Sequence, residues 1–184
     1  LITIDEISKA NEALSKLMTQ RWFSQELFTI RWWGLAGFLV LSYVLCFKLL
    51  DKKRLVELLL YGSLVSVFSV VLDIFLENRN LFLYKARLLP MIPSIFIYDI
   101  TALPIYYMVL YQHAATWKKY SIWITLASLL LGYVFTPLMV KLGYLHLINW
   151  SYTMAFLVIV FVGFLAKMVT SLILYVQEKN LKKS

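Results

Sequence analysis

Leu89–His113 reads Leu-Pro-Met-Ile-Pro-Ser-Ile-Phe-Ile-Tyr-Asp-Ile-Thr-Ala-Leu-Pro-Ile-Tyr-Tyr-Met-Val-Leu-Tyr-Gln-His. The run is long and apolar enough to cross a bilayer, so it predicts a membrane helix. Within it stand a carboxylate, Asp99, and five residues later Pro104, which cannot donate to a helix ladder. A passive anchor has little use for either group, because an ionisable side chain inside a membrane is expensive and marks a site of some kind. Function is therefore to be sought here. No motif anywhere in the chain names a reaction.

Composition carries the membrane reading to the whole chain. Of 184 residues 61% are hydrophobic and 15% charged, and the mean hydropathy is +0.76. A soluble domain has nearer one quarter charged residues. The formal charge of +8 does not indicate nucleic acid, because the basic residues cluster at the ends of apolar runs and form no basic stripe. They are topology signals and head-group contacts, with the lipid bilayer as the expected partner. Cys46 is the single cysteine, so neither an intrachain disulfide nor a metal site built on thiolates is available.

Residues 1–31 hold four basic and four acidic side chains and no uninterrupted apolar core, which does not fit a cleaved signal peptide. Ile4, Ile7, Leu14, Leu17 and Met18 recur at helical spacing opposite Lys9, Glu12 and Lys16. An amphipathic helix follows, lying either in the membrane interface or against its own protein or a neighbouring copy. Five apolar runs come next, at 32–50, 56–77, 91–112, 121–140 and 147–172. Each is near the ~20 residues a helix needs to cross the hydrocarbon. Short polar connections such as Asp51-Lys52-Lys53-Arg54 make successive helices antiparallel neighbours. The expected fold is all-α: an N-terminal amphipathic helix over 1–31, a five-helix transmembrane bundle over 32–176 and a basic tail over 177–184. Trp32, Trp33, Trp117, Trp123 and Trp150 fall near the ends of runs, as in an interfacial aromatic belt.

Five spans put the termini on opposite sides. Eight basic residues fall on the side of the N-terminus and nine on the other, and the second group is packed more densely beside the spans. That density favours an N-terminus outside and a cytoplasmic C-terminus.

The second span carries Gly62, Ser66, Ser69, Asp73 and Glu77 on one helical face. Two readings stay open for this stripe: close helix packing with Asp73 as a satisfied structural group, or a functional face. In the third span Asp99, Tyr106 and His113 are seven apart and share a face if the helix is regular, and Pro104 leaves the Ile100 carbonyl without its donor. Counted from the outer ends of their spans, Asp73 and Asp99 lie roughly 6 Å and 12 Å below the same surface. Gly34, Gly37, Tyr133, Thr136, Asn149, Ser151, Tyr152 and Thr153 fall in the same outer half, and Lys167 lies where it can snorkel to the inner interface. The pattern predicts an outward-facing polar pocket around the paired aspartates, with Asp73, Asp99, Tyr98, Tyr106, Ser69, Glu77, Tyr133 and Asn149 as its ligand-binding residues.

Two carboxylates in a poorly solvated pocket repel each other when both are charged, which suits a proton-linked switch, a cation or a cationic small molecule. Hydrolysis fits less well. No Gly-x-Ser-x-Gly turn is present, and His113 and His146 belong to opposite faces, so a three-histidine zinc site is unavailable. The sequence assigns no catalytic residue and no cofactor, and leaves the metal open. The competing reading is a structural envelope protein whose aspartates cross-link the bundle and whose surface binds another copy or a membrane-protein partner. An intramembrane lipid hydrolase ranks below both.

Trp32-Trp33, the Asp51–Glu57 loop with Arg54, Asp73, Tyr84, Leu89-Pro90, Asp99 with Leu103-Pro104, Tyr111-Gln112, Trp117, Pro137, Tyr144 and Trp150 form an ordered set over residues 22–155. In this set the chain resembles an uncharacterised family of small multi-spanning membrane proteins of Bacillus-type endospore-forming bacteria. The resemblance implies the architecture, the choice of Asp73 and Asp99 and the plasma membrane of a bacterium as the location, and no activity. In that pattern an acidic residue often precedes the proline of the fourth span. Here the position is Thr136, a departure that removes a third carboxylate.

Overall fold

The computed structural model describes residues 2–90, 98–114 and 116–182. Helix α1 runs Ile4–Arg21 and starts with a capping box, in which Glu6 N donates to Thr3 Oγ1 and the Glu6 carboxylate accepts from Thr3 N at 2.8 Å. A π-helical turn, Trp22–Glu26, leads to α2, Ile30–Leu49, capped by Thr29. After a short 3-10 turn at Lys52–Arg54, α3 covers Leu55–Asn78. Strand β1 is Phe82–Tyr84. A second π-helical turn, Tyr98–Ala102, opens into α4, Leu103–His113. Helix α5, Trp117–Leu130, passes through a third such turn at Leu131–Phe135 into α6, Thr136–Lys141. Strand β2 is Leu145–Leu147, and α7 is Tyr152–Leu181, capped by Ser151.

Among the described residues four helical stretches are long and apolar enough to cross a membrane: Ile30–Leu49, Lys52–Asn78, Trp117–Lys141 and Tyr152–Leu181. Residues 91–97 of the third apolar run lie outside the described residues, and the remainder of that run is helical from Tyr98 to His113.

Three boundaries differ from the sequence reading. The all-α expectation gains a two-stranded antiparallel ribbon, with Phe82 opposite Leu147, Leu83 opposite His146 and Tyr84 opposite Leu145. Helices end on either side of it because Asn80 and Gly143 take positive φ, of 56° and 77°, a conformation that stops a helix. The fifth run consequently begins its helix at Tyr152 and not at 147, since Leu145–Leu147 is committed to the ribbon. Its helix also extends through most of the expected basic tail, to Leu181.

The core lies between α3, α4, α5 and α7, with Leu58, Tyr61, Val65, Tyr107, Tyr120, Ile124, Val162 and Ala166 almost wholly buried. Polar groups inside it are paired. Tyr61 and Tyr120 share a hydroxyl hydrogen bond of 2.8 Å, Tyr120 Oη donates to the Gly163 carbonyl at 2.6 Å, and Tyr107 Oη reaches Ser128 Oγ at 3.0 Å. Helix α2 is peripheral, with Ser42 its only buried residue.

Contacts fix which segments share an end of the bundle. At one end Trp22 Nε1 donates to the Arg87 carbonyl and Trp32 Nε1 to the Leu88 carbonyl, both at 3.0 Å. Glu26 there accepts from Arg87 N at 2.9 Å and pairs with Arg21 at 3.2 Å. The N-terminal turn is thus strapped to the chain that leaves β1, while α1 keeps Ile4, Ile7, Leu14 and Leu17 exposed. At the opposite end Gln112 accepts from Asp51 N at 3.0 Å and donates to the Leu49 carbonyl at 2.9 Å. Nearby Glu57 takes Arg54 and the Tyr111 hydroxyl, each at 2.8 Å.

Lys167 does not snorkel. It is 6% exposed, and its ammonium lies 4.2, 4.9 and 5.0 Å from the ring centres of Tyr120, Tyr111 and Trp117. Cation–π attraction to three rings substitutes for solvation at the interface.

Candidate functional site

Steric punctuation in the sequence builds the walls of the site. Pro104 and Pro137 each fall in the first turn of a helix that follows a π-helical turn, and the wider turn accommodates the donor each proline lacks. Thr136 Oγ1 donates to the Leu131 carbonyl at 2.9 Å, satisfying one acceptor there. The two turns face each other: Tyr98 from one stacks on Phe135 from the other, with centroids 5.5 Å apart and planes 16° apart. Gly132, in the second turn, brings the chain against α7. A Cβ at that position would stand 2.8 Å from Phe156 Cβ and 3.0 Å from its Cα.

Beside this stacked pair is a cavity of about 300 Å³. One wall comes from α3, the turn before α4 and the start of α4, with Ser69, Asp73, Asp99 and Leu103. A second comes from α2 through Gly34, Leu35 and Phe38. Helix α7 supplies Ala155, Val158, Ile159 and Val162. The ribbon and its flanks close the end with Phe82, Tyr84, Tyr144, Leu145 and Trp150.

The two carboxylates differ in their surroundings. Asp73 is half-buried and accepts from Tyr84 Oη at 3.1 Å. Asp99 is 4% exposed, and its Oδ2 has no hydrogen-bond partner among the described residues. Ser69 Oγ lies 3.4 Å from the Asp99 backbone carbonyl and 3.2 Å from that of Ser66, so its hydroxyl is directed to main chain. Of the guanidinium groups, Arg87 pairs through Nη2 with Glu77 at 3.6 Å while its buried Nε has no hydrogen-bond partner among the described residues, and Arg79 lies 4.9 Å from the Phe75 ring centre. A buried carboxyl oxygen without a donor is an unmet demand for one.

Of the residues expected to bind ligand, Asp73, Asp99, Tyr98 and Ser69 line the cavity together. The other four lie outside its lining. Tyr106 is turned away and packs beside Tyr107, with ring centroids 6.3 Å apart. The seven-residue spacing from Asp99 assumed a regular helix, and the π-helical turn at Tyr98–Ala102 breaks that phase, so that Leu103 reaches the cavity. Tyr133 is exposed and shares a 2.8 Å hydrogen bond with Thr153. Asn149 is exposed in the turn after β2, its backbone N donating to the Leu81 carbonyl at 3.0 Å. Glu77 is occupied by Arg87.

Sequence reasoning passed over Phe82, Tyr84, Phe135, Tyr144 and Trp150 as cavity residues. A signal was present. Phe82-Leu83-Tyr84 carries two strand-favouring aromatics just after Asn80, and Leu145-His146-Leu147 alternates apolar and polar just after Gly143, a spacing that turns alternate side chains to one face. Among the described residues no group of three or more His, Cys, Asp and Glu is placed to hold a metal ion.

Chemically, the arrangement offers two acceptor groups at one side of an otherwise apolar and aromatic enclosure. It can take a proton, or a donor-bearing ligand whose remainder is apolar. Compared with known proteins, the chain matches no family model, no curated protein and no solved structure.

Proposed function

We propose that this chain is a five-span membrane protein whose intramembrane cavity binds a proton, a cation or a small molecule through Asp99 and Asp73, as a binding or transport module. The observation that carries the reading is Asp99 in the cavity wall, almost wholly buried, with Oδ2 lacking a partner among the described residues. Scaffolding carboxylates are ordinarily satisfied by the groups they hold. The span this adds to the four membrane-length helices is the third apolar run, which contains Asp99. Support for it comes from the ribbon: β1 and β2 pair at one end of the bundle, so the chain between them leaves that end and returns. His113 and Gln112 lie at the opposite end, beside Asp51.

The proposed location is a bacterial plasma membrane with the cavity facing outward, in keeping with the denser basic clusters at the Gln112 end. The resemblance to the Bacillus-type family agrees with this assignment. A test uses Asp73→Asn, Asp99→Asn and the double variant in an uncharged detergent, screened for thermal stabilisation by protons, inorganic cations and small cationic molecules. The variants are expected to fold and to lose a ligand response that the wild type shows. If every variant unfolds, the aspartates are bundle scaffold and the reading falls.

A second reading rests on α1. Its exposed Ile4, Ile7, Leu14 and Leu17 form an apolar face at the surface of the chain, available to lipid or to a membrane partner. Crosslinking from α1 in native membranes that captured one defined partner would favour it.

A further inference from the structure

The cavity's lining narrows what it can hold. Apart from Asp73, Asp99, Ser69, Thr136 and the tyrosine hydroxyls, its side chains are aliphatic or carry aromatic faces. A hard inorganic dication takes six or more oxygen ligands, whereas two carboxylates line this cavity and no third His, Cys, Asp or Glu is placed beside them among the described residues. Such an ion would be under-coordinated and would lose its hydration against apolar walls. A wholly apolar ligand would fill the space but leave Asp99 Oδ2 without a donor.

A ligand with one positively charged N–H group and an apolar body meets both demands. Its N–H supplies the missing donor, and its charge is compensated by a carboxylate that no Lys or Arg side chain pairs with among the described residues. Phe82, Tyr84, Phe135 and Trp150 present ring faces and edges for its body and for cation–π contact. A volume of about 300 Å³ sits at the small end of ligand pockets. We infer that the cavity between α2, α3, α7 and the ribbon binds a small amphiphilic organic ammonium ion, with Asp99 as the acceptor of its N–H group. This rests on the proposed binding function and specifies its ligand class.

The test uses the full chain in an uncharged detergent at pH 7 and follows Trp fluorescence and the melting temperature. The first probe is N,N-dimethyl-2-phenylethylamine, protonated at that pH; the second is isopentylbenzene, the same shape with carbon in place of nitrogen; the third is calcium chloride. Saturable binding of the amine is expected, weakened at least about tenfold for the hydrocarbon, the factor a single charged hydrogen bond supplies. Asp99→Asn should weaken amine binding at least about tenfold and leave hydrocarbon binding unchanged. Asp73→Asn, which retains an acceptor for Tyr84, serves as the second variant and should weaken the amine less. Equal affinity for amine and hydrocarbon, or amine binding indifferent to Asp99→Asn, overturns the ammonium assignment while leaving a binding cavity in place. Saturable calcium binding lost in Asp99→Asn overturns it in favour of an inorganic site. If none of the three probes binds the folded wild type, the ammonium assignment falls, and a wild type that also shows no response to protons or inorganic cations takes the binding function with it.

Discussion

Replacing Asp99 by leucine should stabilise the protein. Asp99 is 4% exposed, and its Oδ2 has no hydrogen-bond partner among the described residues. A buried polar atom left unsatisfied costs about 1–3 kcal/mol, and leucine has the same branching without it, its bulkier methyl groups having the adjoining cavity to fill. Ser69 Oγ lies 3.4 Å from the Asp99 backbone carbonyl, an acceptor that the substitution leaves in place. For a chain of this length each kcal/mol moves the melting midpoint by about 2–4 °C, so the expected rise is about 2–12 °C. Asp99→Asn keeps a polar group in the same place and should gain less. The assay is thermal unfolding of ligand-free protein in an uncharged detergent, followed by near-UV circular dichroism. Binding sites are commonly maintained against stability in this way. A midpoint for Asp99→Leu several degrees below wild type would refute the reasoning, because it would mean that the carboxyl holds the bundle together.

Gly132→Ala and Gly37→Ala should differ in sign. At Gly132 the added Cβ meets the Phe156 backbone, with Cα at 3.0 Å and N at 3.1 Å, and overpacking of about 1–3 kcal/mol exceeds a helix-propensity gain of about 1 kcal/mol; at Gly37 nothing lies within 4 Å and only the gain remains. Melting curves check it, and equal shifts would contradict it. Tyr120→Phe leaves the ring over Lys167 but removes the hydroxyl bonded to Tyr61 and to the Gly163 carbonyl, so a loss of about 1–3 kcal/mol is expected, read as a lower denaturation midpoint. At the N-terminus, the Thr3 backbone and hydroxyl donors hold the Glu6 carboxyl below its usual range. Because the folded value is the lower one, the capping box contributes fully above the ordinary glutamate range and is lost as pH falls through the lowered value. Hydrogen-exchange protection of the Glu6 and Ile7 amides, compared between wild type and Glu6→Ala, should converge at acid pH, and a constant difference would count against it.

The amino-acid sequence by itself determined that this is a membrane protein of helices with a carboxylate-bearing centre. Apolar runs near the length of a bilayer admit little else, because a helix is the structure that satisfies its own backbone groups without water. The meeting of Asp73, Asp99, Ser69 and Tyr98 was legible too, since depth along a span follows from residue count alone. Helical phase was not. Tyr106 was placed by regular periodicity, which the π-helical turn before it breaks, and Tyr133 by depth alone, which does not say which way a side chain within such a turn points. The tertiary structure also decided the ribbon, because pairing Phe82–Tyr84 with Leu145–Leu147 joins segments some sixty residues apart and no local pattern fixes such a register. Likewise Lys167 sits among Tyr111, Trp117 and Tyr120, residues of two other segments of the chain. Local sequence fixes how far into the membrane a group lies; the packing of distant segments fixes which way it points and whether it meets a partner there.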